Sequence, residues 1–194
     1  MKEKVCKKCL IKKNVDEFYN YSKYTLCKVC EIKKVIDYQR TKKGLITKIY
    51  ATQRSSSKKR GDKLPDYTKK ELQEWILSQP NFETLYNNWA ESGYNKDLKP
   101  SCDRLDDYKP YTLDNIRLVT WEVNVKKGYE DRKNGINNKR SKAVIGTHKI
   151  TGEIVEFYSL NEAERQTGVF HNNISKNCLG KYKSTGGYVW KYKI

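Results

Sequence analysis

The 194-residue sequence has no apolar run approaching the roughly 20 residues that a membrane span requires. Its N-terminus, MKEKVCKKCLIKK, lacks the hydrophobic core of a signal peptide. Both absences predict a soluble protein of the cell interior. Hydrophobic residues are also scarce, at 37% against 32% charged, which argues against one large core and for small modules joined by linkers. Carboxylates are in deficit: 23 Asp and Glu face 40 Lys and Arg, for a formal net charge of +17, and such a balance favours a polyanion as partner. Four Trp and 15 Tyr nevertheless argue for folded structure over disorder.

The charge is unevenly spread. Residues 1–62 carry a net +12, residues 63–140 only +1 and residues 141–194 +4. The ends attract anions and the middle is nearly neutral. That middle contains SCDRLDDYKPYTLDNIRLVTWEVNVKKG, with Asp103, Asp106, Asp107, Asp114 and Glu122 in one stretch.

In a reducing compartment, paired cysteines are metal ligands before they are disulfides. Cys6 and Cys9 form one CxxC pair and Cys27 and Cys30 another, with 17 residues between them. Each CxxC turn aims two thiolates at one ion, so the four predict a tetrahedral structural Zn2+ site stapling a module too small for a core of its own. Lys7, Lys8, Lys12, Lys13, Lys28, Lys33 and Lys34 surround the ligands, with Tyr19, Tyr21 and Tyr24. They make either a phosphate-backbone contact or a merely solvated basic face.

From about Asp37 to Ser57, with Ile36 just before it, the spacing of Leu45, Ile49 and Tyr50 predicts a helix. The run RSSSKKRGDKLP that ends it reads as a flexible basic linker, with Lys58, Lys59 and Arg60 placed for DNA contact. Thr68 and Glu71 form a capping box ahead of Leu72, Trp75 and Ile76. A second helix carries Phe82, Leu85, Tyr86 and Trp89 on one face and closes at Ser92 and Gly93. Residues 102–105 and 116–119 read as strands and 122–132 as a helix, so that Asp103 leaves the first strand beside Asn124 in the first helical turn. Asp and Asn oxygens are hard ligands suited to one Mg2+ that also takes a substrate phosphate. Further on, DRKNGINNKRSK is a polar linker; KAVIGTHKITGEIVEFYS reads as a hairpin turning near Gly152. Two short helices joined at Gly168 and a final strand in GGYVWKYKI follow. The second of these helices, from about Val169 to Cys178, presents His171, Asn172, Asn173, Ser175 and Lys176, polar side chains able to reach base edges, while Ile174 faces a core with Phe170 and Cys178.

The DRLD-x8-N-x8-N segment between a four-cysteine finger and a helix-turn-helix segment resembles the HNH (ββα-metal) nucleases, in particular the small phage-encoded homing endonucleases with a C-terminal intron-encoded nuclease repeat. The resemblance implies an α+β modular chain: a zinc module at 1–36, a basic helix and linker at 37–66, a helical pair plus nuclease core at 67–133, a linker at 134–141 and a DNA-binding module at 142–194. Carried over by position, Asp103 and Asn124 hold a catalytic Mg2+ or Mn2+ and Asn115 holds the loop. Arg104 stands where many relatives place a histidine general base, and the histidines here, His148 and His171, lie in the C-terminal module. An arginine cannot accept a proton from water but can stabilise a pentavalent phosphate. Asp106, Asp107 or a metal-bound hydroxide is left to activate water.

The function implied is site-specific hydrolysis of double-stranded DNA, one strand per active site, by a monomer in the cytoplasm of a bacterial host. Two rivals stay open: a sequence-specific DNA-binding protein with an inactive centre, and an RNA-binding or ribosome-associated zinc protein, for which no platform of exposed aromatics is evident.

Overall fold

Residues 2–20 and 23–193 are described by a computed structural model, and they form two compact units divided between Asn124 and Val125. Tyr21 and Ile194, assigned above to the basic face and the final strand, lie outside the described residues.

The first unit opens with an antiparallel hairpin, β1 (Glu3–Val5) and β2 (Lys12–Asn14), whose connection holds Cys6 and Cys9. Cys27 is the N-cap of α1 (Lys28–Arg40), which places Cys30 in its first turn. Cys6, Cys27 and Phe18 are the buried centre of this small module. The chain then breaks at Thr41, in extended geometry, and restarts as α2 (Lys42–Arg60), with the Thr41 hydroxyl accepting from the Gly44 backbone N–H. One expected helix is therefore two.

The first part of the polar run expected as a flexible linker, Arg54 to Arg60, is the last two turns of α2, closed by Gly61 in the left-handed conformation at φ 71, and residues 62–65 follow outside any helix. Gln53 and Ser57 continue the buried stripe of Leu45, Ile46 and Ile49, so helical packing overrides a composition that reads as loop. The Thr68–Glu71 capping box starts α3 (Lys69–Ser78), and α4 (Phe82–Glu91) follows.

Strands β3 (Pro100–Arg104) and β4 (Ile116–Thr120) pair antiparallel, Cys102 opposite Leu118, Asp103 opposite Arg117 and Arg104 opposite Ile116. Because side chains alternate, Cys102, Ile116 and Leu118 face a core shared with Leu45, Ile49, Leu72, Ile76, Phe82 and Trp89, and Ser101, Asp103, Arg117 and Val119 point the other way. Helix α5 (Trp121–Lys133) follows β4 directly. The division between units falls within α5, after Asn124, upstream of the polar run 134–141.

The second unit is a three-stranded antiparallel sheet in the order β6-β5-β7, from β5 (Val144–His148), β6 (Ile154–Phe157) and β7 (Tyr188–Tyr192). Helices α6 (Leu160–Thr167) and α7 (His171–Cys178) pack on it around Val144, Ala163, Ile174 and Trp190. Ser159 caps α6 by accepting from the Glu162 N–H, and Gly168 ends it at φ 71. Phe170, expected to share a core with Ile174, is the N-cap of α7 and is 49% exposed. Among the described residues no helix is long and apolar enough to cross a membrane.

Candidate active site and metal centre

The ββα segment places each sequence-predicted residue in a distinct environment. Asn115 ends a 3-10 turn, Leu113–Asn115, and is buried. Its Oδ1 accepts from the Asp106 N–H at 3.0 Å and its Nδ2 donates to the carbonyls of Asp106 at 3.1 Å and Pro110 at 2.9 Å. The whole Asp106–Asp114 loop is thus pinned to the start of β4. The Thr112 hydroxyl bonds the Asp114 carboxylate and holds it below the usual aspartate range, so Asp114 belongs to the turn.

Asp103 is 5% exposed, and its Oδ2 accepts from Nε of Arg117 at 3.0 Å and from Nη2 at 2.9 Å. Both donors converge on one oxygen in a charge-assisted pair, and Arg117 itself stays 44% exposed at its side chain. Nothing in the linear order of residues singles out Arg117. Only the register of β3 against β4, together with the alternation of Ile116 and Leu118 inward and Arg117 outward, sets it opposite Asp103. Asn124 reaches back from α5: its Nδ2 donates to the Ser101 hydroxyl at 3.0 Å and to the Cys102 carbonyl at 3.3 Å. Because the Cys102 carbonyl can only accept, the amide is oriented with Nδ2 toward the strand, which turns Oδ1 away from it as a free acceptor. Ser101 and Asp103 share a strand face, so Asp103 and Asn124 bring two hard oxygen donors to the same side of the hairpin. That donor set fits Mg2+ or Mn2+.

Arg104, expected against the phosphate, is on the opposite face. Its Nη2 pairs with Asp107 at 3.1 Å, its Nη1 lies 3.6 Å from Asp62 and donates to the Lys109 carbonyl at 3.0 Å, and its side chain is 8% exposed. Asp62 also accepts from Arg60 at 2.8 Å, and both guanidiniums lie over the Tyr111 ring. The cause is the two-residue period of a strand: a neighbour of Asp103 in sequence points away from it. Buried Arg104 and half-buried Arg60 therefore form a clamp between the end of α2 and the loop, while Lys58 and Lys59 remain exposed. Asp107 is taken up by the clamp. Asp106 is the more open of the two carboxylates, 44% exposed at its side chain, with Oδ1 accepting from the Tyr108 N–H at 2.8 Å. Burial pushes the Cys102 thiol up to about 12 and makes it an inert core residue.

At the N-terminus, the sulfurs of Cys6, Cys9, Cys27 and Cys30 lie within 4.8 Å of one another. With metal–sulfur distances of about 2.3 Å, tetrahedral thiolates sit about 3.8 Å apart, within that limit. The Cys9 backbone N–H, aided by that of Cys27 at 3.3 Å, lowers the Cys6 pKa to about 6, against the opposing effect of burial. Donor type, number and spacing all fit one metal ion.

In the second unit, Ile174 is buried, and Asn172 and Lys176 are exposed. His171 is held through Nδ1 to the Glu164 carboxylate at 2.5 Å, and Ser175 shares a hydrogen bond with the Tyr192 hydroxyl at 3.0 Å. Sequence reasoning missed Asn177, whose Oδ1 accepts from the Trp190 backbone N–H and whose Nδ2 donates to the Tyr182 carbonyl. It is a buried positioning residue for α7.

Two curated proteins of Acanthamoeba polyphaga mimivirus are similar to this chain. One, named Uncharacterized HNH endonuclease L247, is 34% identical over 91 residues, 46% of this chain and 21% of its own length. The other, Uncharacterized HNH endonuclease L245, is 41% identical over 49 residues, 25% of this chain and 15% of its own length. The matches thus cover at most about a fifth of either relative. No family model and no solved structure matches the chain.

Proposed function

We propose that this protein is a divalent-metal-dependent DNA endonuclease of the HNH type, of the homing class, which nicks one strand per active site. The observation that carries the reading is that Asn124 bonds Ser101, which shares one face of the β3–β4 hairpin with Asp103, beside a loop held by Asn115. The similarity to proteins named HNH endonuclease supports it independently.

Asp103 and Asn124 would hold the Mg2+ or Mn2+, which when bound supplies positive charge against the scissile phosphate. Arg117 is the side chain on this face able to follow the phosphate: exposed, permanently cationic, and holding Asp103 until a competing cation arrives. Asn115 fixes the loop, and the Arg104–Asp107 clamp fixes its far side. Asp106, the more open loop carboxylate, accepts the proton from water. The four-cysteine module carries a structural Zn2+, and α7, with Asn172, Asn173 and Lys176, reads the duplex.

A second reading, a DNA-binding protein with an inactive centre, is favoured by one observation. No histidine occupies the ββα segment, and Arg104 is turned away from Asp103. Supercoiled plasmid incubated with the full chain separates the two. Conversion to open circles in Mg2+ but not in EDTA supports the nuclease, whereas tight duplex binding with plasmid left intact supports the second reading.

A further inference from the structure

The second unit contains a cavity of about 550 Å³ that the proposed cleavage chemistry does not use. It is bounded by the end of α5, the segment that follows it and the first turns of α6 and α7. Arg132, Lys133, Arg140 and Lys142 line it, and no described carboxylate pairs with any of them. They are exposed along the rim. The cavity is built rather than incidental. The Lys133 carbonyl accepts from the Tyr158 hydroxyl and, at 2.9 Å, from Nη2 of Arg165, whose guanidinium is itself paired with Glu162. On the far wall Glu164 is bound to His171.

We propose that this cavity holds the phosphodiester backbone of one DNA strand, with Arg132, Lys133, Arg140 and Lys142 on its phosphates. The inference rests on the DNA reading above and adds to it a second anchoring place, apart from the exposed Asn172 and Lys176 of α7. The chemistry favours a chain of singly charged phosphates over a compact polyphosphate. Cations set along a rim match charges spread in a line, whereas the Glu164 carboxylate in the wall repels a dense polyanion seated inside. Exposed cations with no carboxylate partner, Lys142 resting over the Tyr192 ring, also give up few protein contacts on binding and release counterions from the DNA, which is the main source of backbone affinity.

The test uses the full chain, a fluorescein-labelled duplex of arbitrary sequence and anisotropy at several salt concentrations. Arg140→Gln with Lys142→Gln is compared with a control of equal charge loss on the open sheet face, Lys149→Gln with Lys191→Gln, which line a separate cavity. Each phosphate contact contributes roughly 0.9 to the slope of log affinity against log salt, so the first pair should lower that slope by about two and the control by much less. Arg140→Lys with Lys142→Arg should keep the wild-type slope. Equal effects of the two charge-removing pairs would overturn the cavity assignment while leaving DNA binding intact. So would saturable binding of inorganic phosphate, seen by 31P line broadening and abolished by Arg140→Gln with Lys142→Gln, together with unchanged duplex affinity. If the wild-type chain binds no duplex at all, the DNA reading falls and this site with it.

Discussion

Arg117 and Asn115 carry the sharpest consequences for single residues. If Arg117 guards Asp103 and then serves the phosphate, Arg117→Ala should bind Mn2+ more tightly, measured by electron paramagnetic resonance, and yet cleave on the order of 10²-fold more slowly at saturating metal. Arg117→Lys should recover part of the rate. Unchanged Mn2+ affinity and wild-type cleavage in Arg117→Ala would make the pair a mere surface bridge. Asn115→Ala leaves the part-buried carbonyls of Asp106 and Pro110 without their donor, so the urea midpoint should fall by the equivalent of about 1–3 kcal/mol, and cleavage should fall with it. At this scale the sequence was informative wherever spacing alone sets geometry. The cysteine pairs are of that kind, and so is the strand–strand–helix order of residues 100–133. It misled where geometry depends on pairing: Arg104 is adjacent to Asp103 in the chain and opposite to it in space, and Arg117 becomes its partner only through strand register.

Among the elements, the α1–α2 junction is the least forgiving. A Cβ built on Gly44 would meet the Tyr38 carbonyl oxygen at 1.8 Å, and that oxygen is backbone and cannot swing aside. Gly44→Ala should therefore destabilise the first unit by about 1–3 kcal/mol, read as a lowered urea midpoint; an unchanged midpoint would mean that the two helices are not packed at this angle. The capping box of α3 gives a pH dependence. The Thr68 backbone N–H holds the Glu71 carboxyl below the usual glutamate range. Since the folded value is depressed, the contribution is present above the ordinary glutamate pKa and is lost as pH falls through the lowered one. Glu71→Gln should flatten that part of the acid limb of a thermal-melting profile, and an identical profile would remove Glu71 from the cap. Capping chemistry and the periodicity of Phe82, Leu85 and Trp89 made α3 and α4 legible. The end of α2 was not, because Gln53 and Ser57 occupy a buried stripe with polar side chains that sequence reasoning assigns to loops.

For the whole molecule, a chain of +17 with local metal and core modules predicts that function divides along the sequence. Strong chelators should strip zinc and unfold the N-terminal module, while the Val144, Ala163, Ile174 and Trp190 core melts unchanged. Purified protein with no zinc by metal analysis, together with Cys6→Ala of wild-type stability, would contradict the four-cysteine assignment. Composition pointed to small folded units; the place where the chain divides, inside α5, was hidden because a continuous helix carries no break in its pattern. The central claim is that Asp103 and Asn124 form the cleavage centre of a DNA nuclease whose duplex affinity comes from elsewhere. Its most direct measurement is plasmid nicking in Mg2+ alongside duplex binding, for the wild type, Asp103→Ala and Asn124→Ala. The account predicts nicking abolished in both variants, with duplex affinity within a few-fold of wild type, and nicking by Asp103→Ala at the wild-type rate would contradict it.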